Sequence, residues 1–600
     1  MDGAGLNSAG VGLVTATVGG VVQPELLYAS VVRAWARGAT DALASARTEL
    51  DGVNVFPVAD GDTGTNMYLT VREAGAAIHD ADDGASGARL LRLGARAALL
   101  QARGNSGVIL SEWWRGLALA ASRRDSLGVA LDVAARSARR AVAHPASGTI
   151  LTAADSAAAA ARHAEAGGMV GPLGAPERLT VLDAARRGAR EAALRSVGTL
   201  APLRDAGVLD AGACGLLLIL AALAEAQRHA GAASGHDGVS APEGIMAPVL
   251  LDLDLTGYAP ADGGADTAVA PPGGHGEVPA ADEVELMFVL HRAADAAGFR
   301  PGAVADALRA DLDEVGNSVV VVGGGAGDAT GEDVESVWQA HVHTPELDRA
   351  LEVARRWSGR GAVSRVHVRH LAVPPADWAV VTTTSAPALA TELASGGAVV
   401  LLDLDVPPTR EDLAQAVLGA GTPHVLVLAP PAVLGDGGLQ DAVDALGGRD
   451  GVGDGPAAAS DVVVVPAASD VHLVTAVAAL AGALDAAGSG GEPADVPGVV
   501  RGALDRLRAA RPAAAAAPTA LTRLVSDLGA DAGIVALLPD RDVPAAVVDA
   551  LAEQVAAVAA GADVVVLPTG RAGDHVGIGV EPAEDPGDEP AIGALSGEAW

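Results

Sequence analysis

Residues 54–67 read Asn54-Val55-Phe56-Pro57-Val58-Ala59-Asp60-Gly61-Asp62-Thr63-Gly64-Thr65-Asn66-Met67. Two carboxylates joined by one glycine can converge on a single hard cation, and Mg²⁺ is commonly held by one or two carboxylates plus phosphate oxygens. The Thr-Gly-Thr-Asn that follows offers hydroxyls and backbone N–H groups. A helix starting near Asn66 would turn its anion-favouring N-terminus onto the same point. Metal and anion cradle together describe a nucleotide-phosphate site. A surface turn is the competing reading, since Asp-Gly and Thr-Gly are common turn dipeptides; the spacing of an EF-hand loop is not met. Downstream, Gln101-Ala102-Arg103-Gly104-Asn105-Ser106-Gly107 precedes an apolar helical stretch. Two glycines around Asn-Ser at a helix start form a second plausible phosphate cradle, to which Arg103 adds charge. The alternative there is an ordinary N-cap serine.

Around these loops the pattern is helical. Charged residues alternate with apolar ones at helical spacing from 23 to 50, and further helical stretches are expected near 69–80, 88–102, 107–122, 127–143, 150–166, 178–197 and 212–229. No strand pattern appears before residue 245, so the first domain reads as an all-α helical bundle or barrel. Residues 1–15 are expected to be loose. With 600 residues the chain is long enough for about three or four domains.

Composition removes several function classes. The net charge of −35 opposes general nucleic-acid binding, which needs a positive surface to displace counterions. It fits a soluble, cytoplasmic protein handling small molecules or a protein partner. All 40 basic residues are arginine. A Walker-A loop, a protein-kinase fold and Schiff-base chemistry each need a lysine, so nucleotide chemistry must here use metal, arginine and backbone amides. The single cysteine, Cys214, excludes an intramolecular disulfide and an all-thiolate zinc site; it reads as a small buried residue. No signal-peptide pattern opens the sequence. The most apolar run, 216–223, is shorter than the ~20 residues that span a bilayer.

Beyond the helical region, 229–281 is rich in Gly, Ala, Pro and Asp and reads as linker, with an apolar patch at 249–255. Strands are predicted at 284–290, 318–322, 337–343 and 363–368, with helices at 301–312 and 346–357, which makes 282–375 a small α/β domain. From 376 to 580, strands at 379–382, 398–402, 425–428 and 462–465 alternate with helices at 386–395, 410–418 and 471–486, a parallel α/β pattern. Residues 487–518 look like a flexible insertion. An apolar stretch at 533–538, a helix at 543–559 and a strand at 563–567 follow. The acidic tail, 581–600, is expected to be disordered. His341-Val342-His343 puts two imidazoles on one face of a strand, yet two ligands are too few for zinc.

Four stretches in order resemble the ATP-binding subunit of bacterial fatty acid kinase, whose N-terminal domain is related to the nucleotide-binding L domain of dihydroxyacetone kinase (DhaL-like). They are the 54–67 loop, Ala102-Arg103-Gly104-Asn105-Ser106-Gly107-Val108-Ile109-Leu110-Ser111, Ser147-Gly148-Thr149-Ile150-Leu151-Thr152, and the run from Ala206 to Leu216. The resemblance covers residues 17–228 and implies an α-helical barrel with Mg²⁺ and ATP bound at one end. It implies that Asp60 and Asp62 bind Mg²⁺ and carry the catalysis. Thr63, Gly64, Thr65, Asn66, Asn105 and Ser106 would contact phosphates, and Gly148, Asp210 and Gly212 would line the nucleotide site. Dihydroxyacetone kinases carry a third Asp where this chain has Val55; Asn54 is the nearby candidate ligand. The middle region is also similar to the family, through 317–322 and 340–344. Members can bind a metal there through a Cys and the His-x-His pair. Glu285 aligns with that Cys, so Glu285, His341 and His343 form a candidate second site, for Zn²⁺, beside the alternative of a His-rich strand without metal. The C-terminal third departs from the family at 402–409 and 428–431. In the family this region docks a separate, DegV/FakB-like fatty-acid-binding protein, and the resemblance leaves room for a homodimer.

The implied function is an ATP-dependent phosphotransferase that converts a fatty acid carboxylate, presented by the partner protein, to an acyl phosphate. A carboxylate with a pKa of ~4–5 is already ionised at neutral pH and needs no general base. The alternatives are a kinase acting on a small polyol such as dihydroxyacetone (glycerone), and a nucleotide-binding regulatory scaffold without turnover.

Overall fold

A computed structural model describes residues 26–167, 175–233, 249, 251, 253–257, 283–292, 301–324, 336–371, 378–420, 422, 424–434, 438–447, 461–488, 495–528 and 531–583. The expected loose start (1–15), most of the linker and the acidic tail beyond 583 lie outside these residues; Glu581 and Pro582, expected in that tail, are instead paired in a strand. The N-terminal region is all helix: α1 Ala29–Gly52, α2 Thr63–His79, α3 Gly87–Gln101, α4 Gly104–Arg123, α5 Leu127–Ala141, α6 Ile150–Gly167, α7 Ala175–Thr199, the short α8 Ala201–Ala206, and α9 Ala211–Ala233. Each long helix packs on the next, and α9 returns to α1, which closes a ring. Buried residues recur at helical spacing, as with Ala130, Leu131, Ala134, Ala135 and Ala138 of α5. Their small side chains let neighbouring backbones approach closely. Trp35 and Trp114, 4.5 Å apart and stacked, fill the interior, and the Trp35 indole donates to the Ile219 carbonyl at 3.0 Å. α9 contains one span, Ala211–Ala230, long and apolar enough to cross a membrane, which the shorter 216–223 run did not foretell; 83% of its window is buried inside the protein. Cys214 is fully buried there, as expected.

Because short loops join successive helices, the N-termini of α2, α4, α6 and α9 share one end of the ring. An eight-stranded sheet meets the ring at this end. Its strands are β1 Val284–Arg292, β2 Asn317–Gly323, β3 Ser336–Thr344, β4 Ala362–His370, β5 Trp378–Thr384, β6 Ala398–Leu402, β7 His424–Ala429 and β8 Asp461–Pro466, in the order β2-β3-β1-β4-β6-β5-β7-β8. Strands β1 to β4 pair antiparallel, β4 joins β6 antiparallel, and β6-β5-β7-β8 run parallel. One sheet thus continues across residue 376, through Val366↔Leu402 and Val368↔Val400.

Alternation gives the antiparallel half two unlike faces. Leu286, Phe288, Leu290, Ala340, Val342, Val366 and Val368 point to an apolar core shared with α10 Pro301–Asp313, α11 Leu347–Ser358 and α12 Pro387–Ser395. The intervening residues Glu285, Met287, Gln339, His341, His343, His367 and Arg369 lie toward the ring. Met287, Val320 and Val322 join the helical core. Gln339 donates to the Ala102 carbonyl at 2.6 Å and Arg365 to the Leu100 carbonyl at 2.7 Å. Leu253 and Leu255, from the apolar patch in the linker, pack into the helical core too.

Three sequence expectations change. α2 begins at Thr63, earlier than 66–69, because the Asp51 carboxylate accepts the Thr65 N–H at 3.0 Å and its hydroxyl at 2.6 Å, capping the first turn from another helix. Part of the supposed insertion 487–518 is folded. A helix spans Val496–Arg506, and β9 Arg508–Ala510 enters a second, four-stranded sheet with β10 Ala532–Pro539, β11 Asp563–Val566 and β12 Val576–Pro582. The last of these strands had no place in the sequence reading, since Gly577 and Gly579 interrupt its apolar pattern.

Candidate active site

The loop between α1 and α2 positions its acids through local geometry. Gly61 adopts φ +64°, a conformation that favours glycine. The reversal sets Asp60 and Asp62 on either side of it, just before the first turn of α2. The Asn54 amide braces the loop: its N–H₂ donates to Asp60 Oδ1 at 2.7 Å, and its oxygen accepts the Thr63 hydroxyl at 3.0 Å. Both ends of the Asn54 side chain are therefore engaged by the loop itself. Thr63, Gly64, Thr65 and Asn66 are all buried in the opening turn of α2.

The start of α4 meets the same place. Gly104, at φ +53°, presses against the Asn66 amide so closely that a Cβ there would collide with it. The next residue, Asn105, has a buried Oδ1 with no hydrogen-bond partner among the described residues. Ser106 shares the first turn of α4. The N–H ends of two helices and two carboxylates therefore converge, which is a donor set suited to a divalent cation and phosphate oxygens. Arg103 lies beside them. Burial, with the neighbouring charge of Arg72, lowers its pKa to about 10, so it is still a cation at neutral pH.

Gly148, Asp210 and Gly212 form a second cluster at the same end of the ring. Gly212 faces Ile150 and the Asp210 carboxylate, and Gly148 (φ +89°) packs against Thr199. α9 links the two clusters, since Gly215 lies against Met67, next to Asn66. Burial pushes Asp210 up to about 7, against the opposing hydrogen bonds from the Ala213 and Ile150 backbone.

The sheet supplies what the sequence reading of the loop had not included. Arg369 of β4 reaches Asp62 Oδ2 at 2.7 Å, Asp60 Oδ2 at 3.1 Å and Glu285 Oε2 at 3.0 Å. Glu285 stands opposite Arg369 on one side and His343 on the other, so the three lie on one rung of the sheet. Burial drives the Asp60 carboxyl well above the ordinary range, and the Asp62 charge adds to this; Arg369 opposes both. For Glu285, burial pushes up, but Arg369 and the His341 hydrogen bond outweigh it and hold the carboxyl well below its usual value. Arg369 responds in kind: burial pulls it down, and the three carboxylates hold it well above the usual guanidinium value.

Glu285, His341 and His343 are all buried, with one ligand atom from each within 4.8 Å of the others. His341 Nε2 lies 2.7 Å from Glu285 Oε1, and its Nδ1 is 3.2 Å from the Ser318 carbonyl. His343 Nδ1 is buried without a partner, and burial lowers that imidazole to about 3, so it is neutral. A neutral buried imidazole with a free nitrogen beside a carboxylate is a chemically sound metal-ligand set.

Asp62, Asn66, Arg103, Gly104, Glu285, His367 and Arg369 line a cleft of about 20 Å³, flanked from the C-terminal side by Val399, Ala416 and Gly419. That volume holds about one water. Neither ring nitrogen of His367 finds a hydrogen-bond partner among the described residues, and burial lowers it to about 3. Arg369, Asp51 and His367 were absent from the sequence reading. The one available signal was the alternation Arg365-Val366-His367-Val368-Arg369, in which half-buried polar residues alternate with buried valines.

Residues 57–225 match the DAK2 domain, and residues 283–373 match the FakA-like middle domain of fatty acid kinase. Protein YloV of Bacillus subtilis (strain 168) is 27% identical over 408 residues, covering 63% of this chain and 66% of that protein. An uncharacterized protein of Staphylococcus haemolyticus (strain JCSC1435) is 33% identical over 176 residues, or 28% of this chain and 30% of that one. The matched part therefore spans just under two thirds of the Bacillus relative and less than a third of the staphylococcal one. Among solved structures, the dihydroxyacetone kinase of C. freundii is 19% identical over 38% of each chain, with a TM-score of 0.27, a likeness too slight to carry an argument.

Proposed function

We propose that this chain, which carries a DAK2 kinase-type domain followed by a FakA-like fatty acid kinase middle domain, is a Mg²⁺–ATP-dependent phosphotransferase acting on a fatty acid carboxylate. The observation that carries the reading is the pair Asp60 and Asp62 set at the joined N-termini of α2 and α4, in a chain without lysine. Asp60 and Asp62 grip the ion, with Asn54 bracing Asp60. The first turns of α2 and α4, with Asn105 and Ser106, hold phosphate oxygens. Gly148, Asp210 and Gly212 line the nucleotide. When bound, Mg²⁺ supplies charge neutralisation on the phosphoryl group and a template for its orientation.

A carboxylate acceptor asks least of these residues. An alcohol must lose a proton to a base, and His367, the imidazole at the cavity, is a poor one when lowered to about 3. A carboxylate is already ionised and needs only positioning. The acceptor would be presented by a separate, DegV-like fatty-acid-binding protein docking on residues 376–580. Glu285, His341 and His343 would hold a structural Zn²⁺, supported by the orphaned nitrogen of His343; metal analysis of the purified chain and of His343→Ala tests this.

ATP turnover with fatty acid and a candidate lipid carrier tests the main reading. Hydroxylamine-trapped acyl phosphate supports it. Phosphorylated dihydroxyacetone would replace it with a polyol kinase, and ATP binding without turnover with a regulatory scaffold.

A further inference from the structure

We infer that Arg369 is a catalytic residue, a guanidinium delivered by the middle region to the phosphoryl group in transfer at Asp60 and Asp62. The inference rests on the phosphotransfer reading above and adds a guanidinium to which that reading gives no role. Phosphoryl transfer spreads negative charge over three equatorial oxygens, and enzymes of this kind commonly place a cation on them besides the metal. Lysine often serves, and this chain has none.

The geometry is specific. Nη1 and Nη2 of Arg369 lie on Asp62 and Asp60, at 2.7 and 3.1 Å, while Nε takes Glu285 at 3.0 Å. An ion held by the two aspartates must also touch phosphate oxygens. A guanidinium already on those aspartates is therefore one ligand's width from the transferring group. Its aim is fixed from the sheet side: Glu285 pairs with Nε and is itself held by His341, which is anchored on the Ser318 carbonyl. The planar fork of Nη1 and Nη2 is left facing the loop, in the shape that matches two oxygens at once. Its fork covers the aspartate oxygens that a metal ion would need, so an entering metal–triphosphate draws the fork off the aspartates. The smallest such movement keeps Nε on Glu285 and turns the fork onto phosphate oxygens.

In the step, the bond from the terminal phosphorus to the bridging oxygen breaks, and its electron pair leaves on ADP. A lone pair of the acceptor carboxylate forms the new P–O bond, and no proton changes place. Arg369 donates hydrogen bonds to the non-bridging oxygens and keeps its charge throughout.

Calorimetric binding of Mg·ADP, with and without aluminium fluoride as mimic of the phosphoryl in flight, tests this on the full chain without turnover. The parent should bind the fluoride complex at least ~100-fold more tightly than Mg·ADP. Arg369→Gln should lose most of that gap while binding Mg·ADP no more weakly, and Arg369→Lys should recover part of it. Turnover of the glutamine variant should fall on the order of 10³-fold at similar KM for ATP. A glutamine variant that keeps the full gap, or that turns over faster than the parent, makes the guanidinium a counter-ion only and overturns the inference. Should that variant fail to fold, an undiminished gap in Arg369→Lys overturns it equally, since an ammonium cannot copy the fork. A parent chain that binds no Mg·ADP would overturn the phosphotransfer reading itself.

Discussion

The loop end of the helical ring and the sheet face that covers it are both polar and both carry half-buried charges, yet they are built in opposite ways. The loop gathers its groups from fourteen consecutive residues, 54–67, and gains anion affinity from helix N-termini. The sheet gathers Glu285, His343 and Arg369 from three strands that lie next to each other only after pairing. The loop brings two carboxylates with no cation of its own in contact; the sheet brings the cation. Without the sheet the two carboxylates lose the cation that pairs with both, and poorly paired charge out of water is costly. The teaching is that the candidate site belongs to the junction of the two regions.

The largest break in this pairing is Asp60→Ala/Asp62→Ala. It should abolish Mg·ATP binding and lower phosphoryl transfer by ~10³-fold or more, read by calorimetry and ADP release; transfer at the parent's rate would end the whole reading. Trp35→Ala strikes the ring alone. Losing the stack on Trp114 and the bond to Ile219 should cost ~3–5 kcal/mol in urea unfolding.

Asp210 sharpens the contrast, because it is an acid at the same end held by backbone N–H groups instead of a cation. Its folded pKa of about 7 exceeds the reference 3.8. The folded chain therefore keeps a proton that the unfolded chain releases between those values. Its contribution to stability should fall as pH rises through that window, by up to ~1.4 kcal/mol per unit. Asp210→Asn should show a flatter loss between pH 4 and 7 and greater stability than the parent at pH 8; identical pH profiles would refute it. The smallest effect is expected from Gln339→Ala, which removes one bond from sheet to ring at the Ala102 carbonyl and should cost ~1 kcal/mol by the same unfolding measurement.

The helices were legible because their apolar residues recur at a single period within one segment, as in α5. So were β1, β3 and β4, whose short apolar and β-branched runs mark strands. The loop at 54–67 was legible because Asp-Gly-Asp carries its meaning in adjacent residues. What escaped was whatever depends on distant partners. Asp51 reads as an ordinary helical acid until Thr65 is seen on its carboxylate. Arg369 reads as one of 40 arginines until β4 is registered against β1. The segment 487–518 looked loose because Gly, Pro and Ala obscure periodicity, while β9 is held in place by pairing with β12, some 70 residues later in sequence.

The unbroken sheet has a practical consequence for anyone dividing the protein. A cut near residue 376 looks natural from the pattern of strands and helices. It would strip β6 from β4 and bare the backbone edge at Val366–Val368. Such an unpaired edge, with valine at 363, 366 and 368, is a template for strand-to-strand self-association. A fragment ending there should precipitate or pair with itself, and insolubility of that piece would speak of its severed edge and not of an unstable catalytic half.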